Sequence, residues 1–206
     1  MLISTDFFKM KEGVERLIER FECHHTLTED EKNELRKGAT IESFLKGDMV
    51  LREGEISKAF YFVLSGCVRL YYVTEGEDKT AFFYTKEDFV TAFESYKYQK
   101  PTNQNFECLE DTKLVCIPRV VAKDILTRFP KFEFLARFMI EEELIMYHDM
   151  VSSFVALSPE QRYLKLLEKS IELFQIIPQR QIATYLGIKP ESLSRIKKRI
   201  AEKERS

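Results

Sequence analysis

The 206-residue chain has no tryptophan, and only 7 glycines, 6 prolines, 4 cysteines and 3 histidines. So little glycine and proline excludes a collagen-like or low-complexity chain, while 44% hydrophobic residues can fill the core of one large domain or two small ones. No apolar run reaches the roughly 18 residues that a membrane helix needs, so no membrane partner is expected. The opening MLISTDFFKMKEG lacks the charged, apolar, small-residue order of a secretory signal, which points to the cytoplasm. Cys23, Cys67, Cys108 and Cys116 form no C-x-x-C pair, so they give a zinc or iron–sulfur centre no ligand spacing and read as buried free thiols. His24 and His25 follow Cys23, but histidines ending an amphipathic helix more often serve as cations at its negative pole than as metal or haem ligands. No nucleophile, base and orienting group can be assembled from these residues with any spacing logic, so neither an enzyme nor a cofactor is expected.

Charge is present but unevenly placed. The formal net charge is −2. Residues 157–206 carry 11 Lys/Arg against 6 Asp/Glu, a net of +5, and residues 1–156 carry 21 against 28, a net of −7. An acidic body with a basic end fits a sensor or scaffold joined to a module that meets a polyanion.

Three textures follow one another along the chain. Phe7, Met10, Val14, Leu17, Ile18 and Phe21 recur at helical spacing behind the candidate caps Ser4 and Thr5, and Thr28-x-x-Glu31 is a capping box opening a second helix. From about 40 to 117, short runs rich in Phe, Tyr and Val (TIESFL, MVLR, AFYFVL, CVRLYYV, TAFFYT, FECL, KLVCI) are broken by turn residues, the pattern of an antiparallel jelly roll. After Pro118 the helical period returns. Residues 131–156 read as one helix with two apolar faces, the first carrying Ile140, Leu144, Tyr147 and Val151. One face would pack on the β-roll and the other on a second copy, unless the helix is buried wholly within one chain. Ser158-Pro159-Glu160-Gln161 then caps a further helix. The expected domains are therefore 1–130, 131–156 and 157–206.

In QRQIATYLGIKPESLSRIKKRI, Ile182, Ala183 and Leu186 share one face, Gly187 stops that helix and Pro190 opens another. Leu193, Ile196 and Ile200 line the inside of the second helix and leave Glu191, Ser192, Arg195, Lys198 and Arg199 outside. Base-reading side chains at the start of a helix with cations beyond them suit a DNA major groove, and the bland alternative is a solvated basic face.

With LKGDMVLREGEISKAFYFVLSGCVRLYY ahead of it, this order of parts resembles the Crp/Fnr superfamily of transcription regulators over roughly residues 25–202. The resemblance implies an α+β fold: an N-terminal β-roll like a cyclic-nucleotide-binding domain, a long dimerisation helix and a C-terminal helix-turn-helix. It implies a homodimer on an inverted repeat of double-stranded DNA, with RNA polymerase as a further partner, and base-reading positions at Glu191 and Arg195. The family's phosphate-binding cassette falls on Thr91-Ala92-Phe93 and Thr102-Asn103-Gln104, where Ala92 replaces the ribose-binding Glu and Thr102 the phosphate-binding Arg. Without that guanidinium, cyclic AMP in its usual pose is not expected, which leaves an unknown small effector or none. Many relatives carry a β-hairpin wing after the recognition helix, but only AEKERS follows Ile200 here. Phosphate contacts are then expected from Lys197, Lys198, Arg199 and Lys203, or from Gln179 and Arg180 on the first helix of the motif.

Overall fold

The computed structural model describes residues 3–169 and 173–203, with the side chains of residues 3–12 and 169 left aside. Phe7 and Met10 of the N-terminal stripe, and Arg205 of the basic tail, therefore lie outside the described side chains. Helix α1 (Ile3–Glu22) already includes Ser4 and Thr5, so neither can cap it, because a cap residue stands outside the first helical turn. Its buried Val14, Leu17, Ile18 and Phe21 meet Phe62 and Val115 of the sheet layer. Helix α2 (Glu29–Gly38) opens on the Thr28 box: Thr28 N donates to Glu31 Oε2 at 2.7 Å, and Glu31 N donates to Thr28 Oγ1 at 3.3 Å.

The middle of the chain is a jelly roll of two antiparallel four-stranded sheets. Its strands are β1 (Thr40–Phe44), β2 (Met49–Leu51), β3 (Ala59–Ser65), β4 (Val68–Thr74), β5 (Glu77–Tyr84), β6 (Phe89–Val90), β7 (Asn105–Cys108) and β8 (Thr112–Pro118). Their order is β1-β8-β3-β6 in one sheet and β2-β7-β4-β5 in the other. Val63, Val68, Leu70, Phe82, Tyr84, Phe106 and Leu114 fill the space between the sheets. Between β3 and β4, Gly66 has φ +95° and an added Cβ would lie 2.7 Å from the Thr112 Cα, so this turn excludes every side chain. A short helix, α3 (Phe93–Tyr98), interrupts the roll between β6 and β7.

Helix α4 (Arg119–Arg128) ends just before Pro130, where a proline interrupts the helical hydrogen bonds, and α5 (Lys131–Ala156) follows. Phe132, Leu135, Met139 and Glu143 of α5 are buried. Ile140, Leu144 and Val151 are 53%, 65% and 55% exposed and form an outward stripe. Tyr147 departs from that stripe: its ring stacks edge-on to Phe82 at 4.7 Å. The position lies at the border of the two faces, where a long aromatic side chain reaches back to the sheet. Helices α6 (Pro159–Lys169), α7 (Leu173–Ile176), α8 (Gln179–Tyr185) and α9 (Pro190–Lys203) complete the chain.

Among the thiols, Cys23 is exposed, against the expectation of burial, because it lies just past the end of α1. Cys67, Cys108 and Cys116 are buried, and burial pushes them up to about 12, 11 and 12. His24 stacks on Phe138 with ring centroids 3.6 Å apart, and its Nε2 accepts from the Arg20 guanidinium at 2.9 Å. Among the described residues, no group of His, Cys, Asp and Glu could hold a metal ion and no helix is long and apolar enough to cross a membrane.

Candidate nucleic-acid interface

Helices α8 and α9 meet over a small core in which Ile182, Ala183, Leu186, Leu193 and Ile196 pack with Tyr163, Leu166, Leu173 and Ile177. Ala183 is fully buried, so a larger residue there would push the two helices apart. Gly187 makes the turn at φ +68°, and an added Cβ would sit 2.8 Å from the Phe154 ring at the end of α5. Arg162 of α6 fixes the same turn. Its guanidinium donates to the Leu186 carbonyl at 2.9 and 3.3 Å and to the Leu157 carbonyl at 2.7 Å, and lies 4.6 Å from the Phe154 ring centre.

On α9 the side chains of Glu191, Arg195, Lys198 and Arg199 are exposed, and those of Ser192 and Lys197 are half-buried. Arg195 Nη2 donates to Ser192 Oγ at 3.2 Å, which draws the guanidinium toward the start of the helix. The cations farther along are not equivalent. Arg199 and Lys203 both reach Glu160 on α6, at 2.8 and 3.0 Å, and the Lys203 hydrogen bond holds the Glu160 carboxyl below the usual range. Lys198 pairs with Glu202 of its own helix at 3.9 Å. Gln179 and Arg180 are exposed at the start of α8, and Arg180 Nη2 lies 3.7 Å from Asp78 on β5.

The cassette positions lie at the two ends of α3. Thr91 and Ala92 are buried, Phe93 and Gln104 half-buried, Thr102 buried and Asn103 exposed. The polar groups of Thr91, Thr102 and Gln104 are engaged within the chain. Thr91 Oγ1 donates to the Ala59 carbonyl at 3.0 Å and meets Ser57 Oγ at 3.1 Å. Thr102 Oγ1 accepts from Gln104 N at 3.1 Å, while Gln104 Nε2 donates to Tyr72 OH at 2.8 Å. Ala92 joins the apolar packing of Leu70, Phe82, Tyr84 and Phe106. Lys100, between the two halves, pairs with Glu94 at 2.5 Å on the surface.

Residues 41–129 match the family model of the cyclic nucleotide-binding domain. A Crp/Fnr-family protein of Eubacterium rectale superposes with a TM-score of 0.70 at 16% identity, covering 86% of this chain and 85% of the other. The chain has the Crp/Fnr fold. FixK2 from Bradyrhizobium japonicum is similar at a TM-score of 0.69 and 19% identity, over 81% of this chain and 86% of its own. CLP of Xanthomonas campestris, a c-di-GMP responsive global regulator, reaches 0.69 at 12% identity over 86% and 93%. No curated protein is significantly similar in sequence. Within this Crp/Fnr fold, two residues that hold the motif together gave no signal in the sequence. Glu160 reads there only as part of a helix cap and Arg162 only as one of the 11 Lys/Arg of the basic end, because their partners lie 39 and 24 positions away.

Proposed function

We propose that the chain is a dimeric, sequence-specific DNA-binding transcription regulator that works in the cytoplasm and does not take cyclic AMP in the usual pose. The observation that carries this reading is the outer face of α9, where Glu191, Ser192 and Arg195 precede Lys198 on a helix whose preceding turn is fixed by Arg162. Arg195 presents paired donors suited to a guanine edge, and Glu191 one turn earlier can accept from a cytosine amine. Lys197 and Lys198, with Gln179 and Arg180, supply phosphate contacts. Arg199 and Lys203 act through Glu160, bracing α9 against α6. The outward stripe of Ile140, Leu144 and Val151 pairs with a second copy. Two recognition helices then fall about 34 Å apart and read an inverted repeat. RNA polymerase is the expected protein partner. Any effector differs from a cyclic nucleotide in its usual pose, because Ala92 and Thr102 offer neither ribose acceptor nor phosphate cation.

Selection of duplexes from a random pool, followed by titration at two salt concentrations, tests this. Arg195→Ala should cost about 1–3 kcal/mol on the selected duplex and relax preference at one base pair per half-site. Lys198→Ala should weaken all duplexes alike and flatten the salt dependence by about one unit for each phosphate that is no longer neutralised. Equal losses for both variants on selected and random DNA would reduce the tail to a basic patch, leaving a ligand-binding or protein-interaction module in place of the regulator.

A further inference from the structure

We propose that the acidic β4–β5 hairpin is a latch that holds the helix-turn-helix away from DNA by occupying the head of α8, where a backbone phosphate would bind. The inference rests on the regulator reading. Residues 75–79, EGEDK, carry three carboxylates and one lysine at the hairpin tip. Glu75 and Gly76 turn the chain with φ +55° and +77°, the positive pair of a tight two-residue hairpin, so the acidic tip is held in place. Asp78 is anchored from behind. Buried Arg69 donates to it at 2.5 Å and to Glu107 at 2.7 Å, and lies 4.1 Å from the Tyr71 ring centre. Burial pushes the Asp78 carboxyl up, but the hydrogen bond and charge of Arg69, a backbone N–H and the charge of Arg180 together hold it below its ordinary value.

From this anchored position Asp78 faces Arg180 at 3.7 Å. One turn along α8, the hydroxyls of Thr184 and Thr80 are 3.0 Å apart, and Thr80 N donates to Thr184 Oγ1 at 3.3 Å. Phe83 and Tyr185 complete the seam with ring centres 5.1 Å apart. A phosphate approaching Gln179 and Arg180 would therefore come beside Asp78 and Glu77, and Arg180 would have to exchange one anion for another. Surface ion pairs alone are weak, but here the pair is joined to a hydroxyl pair and an aromatic contact along one helix. DNA engagement through α8 requires this face to leave β5.

A reversible crosslink tests the latch. Thr80→Cys with Thr184→Cys, in a Cys23→Ser background that removes the exposed thiol, should close a disulfide under mild oxidation with copper phenanthroline. The oxidised protein should bind the selected duplex at least about tenfold more weakly than the same protein after reduction, and reduction should restore affinity at least to that of the wild type. Asp78→Asn should move the other way, binding more tightly at low salt. Melting curves of both redox forms show that the fold survives. Equal affinity of oxidised and reduced protein would overturn the latch, since the docked arrangement would then be the one that binds DNA. Failure of the cysteine pair to crosslink would overturn it too, because the docked arrangement would not be populated. If the wild-type protein selects no duplex, the regulator reading itself falls and takes the latch with it.

Discussion

Glu143 sits on α5 with its carboxyl buried against the β-roll, where Oε1 accepts from Tyr84 OH at 3.2 Å. Burial is the main force on it and pushes the carboxyl from an ordinary 4.5 up to about 7, with Asp88 adding to the rise and the Tyr84 hydrogen bond opposing it. Between those two values the folded chain holds a proton that the unfolded chain has released. Stability therefore falls as pH rises through that window, and the whole loss is in place above it. At about 1.4 kcal/mol per pH unit, the interval from 4.5 to about 7 amounts to about 3 kcal/mol, a sizeable share of the roughly 5–15 kcal/mol that holds a domain together. Glu143→Gln keeps an oxygen to accept from Tyr84 and cannot ionise. Denaturant titrations at fixed protomer concentration, from about pH 4.5 to about pH 8, should show the variant gaining on the wild type by about 3 kcal/mol across the range. Parallel stability profiles for the two proteins would refute the reasoning, since they would mean that the buried carboxyl ionises at no cost.

The border position of Tyr147 separates two substitutions that look alike in the sequence. Leu144→Glu should weaken the dimer by placing a charge in the outward stripe while leaving protomer stability near that of the wild type; Tyr147→Glu should lower the melting temperature, because it buries a charge beside Phe82. Monomeric wild-type protein in sedimentation at tens of micromolar would refute the dimer seam. Saturating cyclic AMP or cyclic GMP should leave the melting temperature unchanged, whereas a ligand at about 100 times its Kd would contribute about 2.7 kcal/mol and shift it by several degrees.

Features governed by neighbours in the chain were legible in the sequence. The Thr28 box and the Ser158–Gln161 box both form, the latter with hydrogen bonds of 2.9 and 3.3 Å. Short runs rich in aromatic and β-branched residues, bounded by turn residues, mark seven of the eight strands. β6 escapes because Phe89-Val90 is too short to make such a run. What the sequence does not show is which groups face one another across the fold. Glu160 beneath Arg199, Arg162 on the turn carbonyl and Asp78 opposite Arg180 are all ordinary surface charges until the topology brings them together. The mixed role of Tyr147 was hidden for a related reason: a helical wheel ranks positions by angle, but side-chain length decides where a border residue lands.

The ring of Phe154 in the space left by Gly187 makes α5 a gauge of fixed length. The outward stripe lies earlier on the same helix, so the distance and angle from Leu144 to the turn are set by the number of residues between them. Each residue added to that interval would advance Phe154 by about 1.5 Å and swing it by about 100° around the axis. A single insertion would carry the ring, and the turn packed on it, around the axis relative to the stripe, whereas seven residues would return both to within about 20° of their bearing, although about 10 Å farther along. A change of one residue would therefore re-aim the turn against the outward stripe without altering either of them.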